Sequence, residues 1–267
     1  MRALTSWLYP QKSIAWSLRL ANIIIACFVV PIAAPSVDAA DLMVAGASSL
    51  TNAFTEIGKA YEKTDPGVRV LFTFAASGQL VQQISRGAPV DVLATADLES
   101  MDRADQQRLI YRDSRASFAA NKLWLVTPAD STLSLSQLQD LGNAKLERIA
   151  IGTPESVPVG RYAKLALEKA GLWEQLKPKY VYAQNVRQSL DYVIRGEVDA
   201  GFVYASDAAI SPVKIRTALE VPLDKPILYP IAAIKGFGQE KRARSFIAFV
   251  RSSTGQAILQ KYGFLTP

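Results

Sequence analysis

From Asp41 onward the chain alternates short apolar runs with amphipathic ones, in an order that few folds can accommodate. The runs "DLMVAGA", "VRVLFTF", "VDVLATA" and "KLWLVTP" read as strands. Between the first two, apolar residues fall at Leu50, Ala53, Phe54, Ile57, Ala60 and Tyr61, one face of a helix that "TDPG" at Thr64–Gly67 stops. Further helices are predicted from Gln79 and near Glu99–Leu109. The order β-α-β-α-β predicts a mostly parallel sheet with helices on its faces. The second half repeats the style, with a helix near Leu135, "RIAIGTP", a helix from Pro158, "KYVYA", a helix from Val186, and "DAGFVYA".

Two extended segments, "ANKLWLVTP" and "DKPILYPIAAI", are placed to link the halves. The C-terminal stretch has helical spacing at Phe246, Phe249, Val250, Ile258, Leu259 and Tyr262 but no sheet of its own, so it is expected to return to the first half. The fold expected is α/β with two lobes and a cleft between them. Its limits are residues 40–120 and 228–267 for the first lobe and 121–227 for the second. Open sheets of this kind bind ligands beyond the carboxyl ends of their strands, where helix N-termini point.

Residues 1–39 are expected to be a signal peptide. Arg2, Lys12 and Arg19 precede an apolar run from Leu20 to Ala34, and Val37 and Ala39 are the small residues of a cleavage site, so the mature chain would begin at Ala40. A membrane anchor is disfavoured because Asn22 and Pro31 fall in or beside the run, which is shorter than the roughly 20 residues a spanning helix needs. A lipoprotein route through Cys27 is the alternative for this segment, although the apolar "FVVPIAA" after it is unlike a polar tether.

The single cysteine is that Cys27, and there is no histidine. A mature chain without either cannot build a cysteine nucleophile, a serine–histidine triad or the common zinc sites. Without the leader the chain has 27 basic and 23 acidic residues, a net charge of +4. That balance suits an anionic ligand and gives no sign of nucleic-acid binding. The densest basic cluster, "KRAR" at Lys241–Arg244, falls on the polar side of a late helix.

The strand-to-helix joints share one chemistry. "GASSLTNAF" puts Ser48 and Ser49 where a helix begins, and "FTFAASGQL" does the same with Ser77 followed by Gly78. "TPESVPVGRYAKLAL" puts Pro158 in a first helical turn with the N–H groups of Val159 and Gly160 after it, and "AQNVRQSLDYV" puts Asn185 as a cap before Val186. Each joint alone reads as an ordinary cap. Together they offer unpaired N–H groups and hydroxyls at positive helix ends with no carboxylate at the tip, which suits an anion. Tyr204 closes a strand in "GFVYASDA" nearby in the pattern.

Over essentially the whole mature chain these motifs resemble the periplasmic molybdate-binding proteins of ABC importers. The match runs from "ASSLTNAF", "FAASGQL" and "GAPVDVLATAD" through "TPESVPVGRYAKLAL", "NVRQSLDYV" and "GFVYASDA" to "KYGF". The resemblance implies the type II periplasmic-binding fold, hinge closure and a tetrahedral oxyanion held by neutral donors. Carried over by position, those donors are the hydroxyl and N–H of Ser49 and of Ser77, the N–H groups of Val159 and Val186, and the hydroxyl of Tyr204. Alanine is frequent in the family at Val159 and Ser48; a backbone donor is indifferent to the first change, and the second leaves a contact from Ser48 open. It further implies molybdate, and tungstate, as ligand, a membrane permease as partner, a periplasmic monomer, no cofactor and no enzymatic activity.

Three other functions are compatible with parts of the sequence. A sulfate- or phosphate-type receptor would use the same kind of cleft. An exported carboxylate hydrolase would draw on Asp91, Asp97 and Asp102, though no pair is set apart by spacing. A ferric-ion receptor would recruit Tyr180, Tyr182 and Tyr204, though "KYVYA" alternates as a half-buried strand does.

Overall fold

A computed structural model describes residues 40–267; the expected leader and Cys27 lie outside the described residues. In chain order the first part contains β1 (Ala40–Ala47), α1 (Thr51–Glu62), β2 (Val68–Ala75), α2 (Ser77–Ser85), β3 (Val92–Ala94), α3 (Leu98–Gln106) and β4 (Ala116–Asn121). The middle contains β5 (Leu123–Pro128), β6 (Ile149–Gly152), α4 (Pro158–Lys169), α5 (Trp173–Leu176), β7 (Tyr180–Ala183), α6 (Val186–Ile194), β8 (Ala200–Tyr204), α7 (Ala205–Ala209) and β9 (Ile215–Val221). The chain ends with β10 (Ile227–Ala233), α8 (Glu240–Arg251) and α9 (Ser253–Lys261).

The strands form two five-stranded sheets, ordered β2-β1-β3-β10-β4 and β7-β6-β8-β5-β9. Three strands of each sheet pair in parallel, and one strand, β10 or β5, runs antiparallel to both its neighbours. The sheets are therefore mixed, where the sequence reading expected them mostly parallel. The reversed strands are the two by which the chain enters a sheet from the other one. Only Lys122 separates β4 from β5, so that passage is a direct step between lobes. The segments β4 and β9 had no expected strand, and "DKPILYPIAAI", expected only as a link, supplies the inner strand β10.

Strand β1 shows why its sequence is apolar almost throughout: Leu42, Val44, Ala45 and Ala47 are all buried, since helices cover both faces of a largely parallel segment. The C-terminal helices pack on the first sheet through aromatic residues. Phe54 of α1 meets Phe118 at 5.6 Å and Phe246 of α8 at 6.2 Å between ring centroids, and Tyr61 meets Phe246 edge-on at 5.3 Å. Rings at these separations and tilts add to the apolar area they bury. The mutual backbone hydrogen bonds of Ala120 and Leu265 fasten the end of the chain beside β4.

Two local expectations change. The helix expected near Leu135 is a single 3-10 turn at Leu138–Gly142, closed by a capping box between Gln137 and Asp140. Asp140 satisfies its orphan N–H groups, and only Leu138 and Leu141 are buried, too short an apolar stripe to continue a helix. The second change concerns the serines. Ser48–Leu50 forms a 3-10 turn ahead of α1, and the caps of α1 and α2 are Leu50 and Ala76, neither with a side-chain bond. Ser49 and Ser77 do not cap, because their hydroxyl oxygens are engaged elsewhere, by Tyr229 and by the N–H of Ala96.

Candidate functional site

The four joints converge. At the first, Ser49 Oγ lies 3.0 Å from the hydroxyl of Tyr229, and the Ser49 carbonyl accepts a hydrogen bond from Arg187 of α6 at 3.0 Å. Arg187 follows Val186 directly, so the start of α6 sits against the serine turn. At the second joint, the N–H of Gly78 donates to the carbonyl of Ser156 at 3.0 Å, which joins the start of α2 to the loop that leads into α4. Tyr204 meets Tyr229 edge-on at 5.7 Å between rings, which brings the end of β8 to the same place. Ser49, Ser77, Val159, Val186 and Tyr204 are all buried, at 3 % exposure or less.

What these groups do not bond to matters as much. Among the described residues, the backbone N–H groups of Ser49, Ser77, Val159 and Val186 donate to no protein acceptor. The N–H of Gly160, expected free, donates to Val157 at 3.0 Å because the first turn of α4 closes tightly. Asn185 caps α6 as expected, accepting from Arg187 and Gln188, which leaves Val186 the unsatisfied donor between strand and helix. The Tyr204 hydroxyl is buried without a partner. A buried phenol so placed is out of keeping with ordinary cores, where polar atoms are paired. Burial also pushes its pKa well above the usual phenol range, so it remains a donor.

The buried carboxylates Asp97 and Asp207 near the joints are each matched by arginine. Asp97 caps α3 by accepting the N–H of Ser100 at 3.2 Å, and it receives Arg161 of α4 at 2.9 Å through Nε and 2.5 Å through the terminal nitrogen. Arg161 also reaches Ser100 Oγ and the carbonyl of Pro154, so this ion pair binds the two lobes together. Asp207, fully buried on α7, has Arg187 Nε 2.7 Å from its Oδ1, at an angle outside hydrogen-bond geometry. Burial raises the Asp207 carboxyl to about 6, and the neighbouring Arg187 opposes that rise. Arg187 completes its contacts on the opposite lobe through Asn52 Oδ1 at 2.8 Å.

The aspartates considered for catalysis are thus spread over separate structural tasks. Asp91 accepts the N–H of Met43 at 2.8 Å, and burial raises its pKa. Asp97 is the cap and ion pair just described, and Asp102 pairs with Arg115. The phenols considered for iron also separate. Tyr180 donates to the carbonyl of Trp173 at 3.0 Å, and with Tyr182 it stands on edge strand β7, two strands from Tyr204. Ser48 takes no part in the convergent contacts; its carbonyl accepts from Thr51.

Sequence reading missed Asn121, Tyr229, Arg187 and Asp207. The last two were visible as charges beside expected ligand positions. The first two carried no signal, since an asparagine before a lysine and a tyrosine in a linking segment announce nothing by spacing.

Comparison with known proteins places this geometry in context. Residues 42–265 match the family described as "Bacterial extracellular solute-binding protein". A Bacillus subtilis protein named provisionally as the ABC transporter substrate-binding lipoprotein YvgL is 36% identical over 225 residues, 84% of this chain and 85% of that one. The molybdate-binding protein ModA of Escherichia coli is 35% identical over 237 residues, 85% of this chain and 90% of that one. The solved structure of the Azotobacter vinelandii periplasmic molybdate-binding protein matches with a TM-score of 0.77 at 26% identity, covering 85% of this chain and 99% of that one.

Proposed function

The chain belongs to the bacterial extracellular solute-binding proteins, and within them to the molybdate-binding protein ModA family, and on that premise we propose that its cleft captures molybdate for an ABC importer. Proteins of this family bind and present a solute; they are not enzymes. The proposed ligand contacts are the hydroxyl and N–H of Ser49 and Ser77, the N–H groups of Val159 and Val186, and the hydroxyl of Tyr204. The moving bodies are residues 40–120 with 228–267 against residues 121–227. Tungstate, of the same charge and shape, is a second ligand in this reading, and a membrane permease is the partner that receives it. A monomer is the working form in this reading.

The observation that carries this reading is the convergence of four unpartnered N–H groups with the buried, unpartnered hydroxyl of Tyr204. Such a set is costly unless an acceptor fills it. A charge-assisted hydrogen bond contributes roughly 1.5–3 kcal/mol net, so a dianion touching several of these donors offsets its lost hydration. The donor set contains no carboxylate to take a ligand proton, and a hydroxyl that accepted one would do so beside an anion it must also donate to. Phosphate, protonated near neutral pH, would bury an O–H without a partner at a cost of roughly 1–3 kcal/mol. Molybdate, tungstate and sulfate are fully deprotonated there. Donors held on packed helix ends favour one anion radius, and membership of the ModA family points to the larger pair.

Calorimetric titration of the mature chain at pH 7 is the test. Molybdate and tungstate are expected to bind tightly, sulfate weakly and phosphate least, and Tyr204→Phe to weaken molybdate about tenfold. Phosphate binding equal to molybdate would sink the donor-only cleft, and dominant sulfate binding would keep the cleft but change its solute. Export is proposed to end with cleavage after Ala39. Intact mass of the exported protein is expected to start at Ala40; a diacylglyceryl Cys27 would show the lipoprotein route instead.

A further inference from the structure

Asn121 and Tyr229 lie where the chain passes between the sheets, Asn121 as the last residue of β4 and Tyr229 as the third of β10. Both are buried, and neither belongs to the donor set above. The direction of their hydrogen bonds follows from valence. Asn121 Oδ1 accepts the backbone N–H of Lys122 at 2.9 Å and that of Ser206 at 3.4 Å. Two N–H donors aimed at one atom identify it as the amide oxygen, so the amide nitrogen faces the other way. There Nδ2 lies 2.8 Å from Ser206 Oγ and 3.3 Å from the Tyr229 hydroxyl, and an amide NH2 only donates.

The Tyr229 hydroxyl is therefore an acceptor toward Asn121, and its single proton must go elsewhere. Ser49 Oγ, 3.0 Å away, is the acceptor within reach, and a fully buried phenol proton left unpaired would be costly. Burial also pushes the Tyr229 phenol well above its ordinary range, which keeps that proton in place. Having accepted from Tyr229, Ser49 turns its own proton away from it.

Resting on the oxyanion reading, we propose that Asn121 and Tyr229 are positioning residues that hold the Ser49 hydroxyl as a donor toward the ligand, and so discriminate against tetrahedral oxyanions that carry a proton. The relay runs from the Asn121 amide through the Tyr229 hydroxyl to Ser49 and on to the anion, and donors in such a chain polarise one another. Ser77 receives the same polarity by a separate route, because its Oγ accepts the N–H of Ala96 at 3.0 Å. A ligand proton would then face two serine hydroxyls that each already accept one hydrogen bond.

A double-mutant cycle on the mature chain tests this, with molybdate and phosphate titrated into wild type, Tyr229→Phe, Ser49→Ala and the double variant. Tyr229→Phe is expected to weaken molybdate about fivefold and to narrow the ratio of phosphate to molybdate dissociation constants. In the Ser49→Ala background the same substitution is expected to change molybdate affinity by less than about twofold, whereas in a Ser77→Ala background it keeps its full effect. A thermal melt checks that each variant folds; if Tyr229→Phe does not, Asn121→Ala replaces it in the cycle with the same expected coupling. A full loss persisting without the Ser49 hydroxyl, or an unchanged ratio, overturns the relay. Wild type failing to bind molybdate overturns the oxyanion reading as well, so the two failures are distinguishable.

Discussion

Gly78→Ala is expected to lower molybdate affinity by about 100-fold or more while leaving the ligand-free protein folded. A Cβ at Gly78 would lie 2.8 Å from the carbonyl oxygen of Ser156 and 2.9 Å from its Cα. Both are backbone atoms of the opposite lobe, so no side chain can rotate to make room. The hydrogen bond from the Gly78 N–H to that carbonyl, 3.0 Å long, would be stretched or lost. Ser77 sits one residue before the wedge and Val159 three residues after Ser156, so the same displacement separates two proposed donors. Each lobe keeps its own core, because the clash lies between them. Titration calorimetry beside a thermal melt separates the two effects. Unchanged affinity would mean that the lobes bind ligand without this close approach.

Arg187→Met is expected to cause a large stability loss, about 3 kcal/mol at pH 7.5, that shrinks on acidification. Removing the guanidinium leaves the Asp207 carboxylate, fully buried, without its counter-charge. It also removes the contacts to Asn52 and the Ser49 carbonyl on the other lobe. The sign of the pH dependence follows from Asp207, whose folded pKa burial already raises from 3.8 to about 6 with Arg187 present. Without Arg187 the rise is greater. A group with a raised folded pKa binds its proton more tightly in the folded state, so stability falls as pH rises through that value and is regained below it. The gap between the melting temperatures of wild type and Arg187→Met should therefore be wide at pH 7.5 and narrower at pH 5. A gap independent of pH would assign the loss to packing and not to the stranded charge.

Most of the elements were legible because each carries its own period. The helical face from Leu50 to Tyr61, Pro158 in the first turn of α4 and Asn185 capping α6 are local features, and the structure has them where the sequence placed them. Elements without a local signature were not legible. Ala116–Asn121 reads "ASFAAN", mostly small side chains with no β-branched residue, so it does not stand out as a strand, and Ile215–Val221 reads "IRTALEV", with three exposed residues that blur its alternation. The 3-10 turn at Ser48–Leu50 was hidden because serine at a helix start has an ordinary local use as a cap. Ser49 departs from that use because Tyr229, 180 residues away in sequence, occupies its oxygen.

By itself the sequence determined that this is a two-lobed α/β chain without histidine and with a single cysteine at position 27, and that several of its strand-to-helix joints carry neutral donors. Those properties depend on residue type and short-range period, which neighbouring residues decide among themselves. Only the tertiary structure decided that the sheets are mixed, since the direction of β5 and β10 depends on which side of a sheet the crossing chain enters. It likewise decided the state of each polar group at the cleft. Asp97 and Asp207 are countered by arginines from α4 and α6, and the proton of Tyr229 is aimed by an asparagine 108 residues away. A hydrogen bond has a direction only when its donor and acceptor are both in place, and here most partners come from separate elements far apart in sequence.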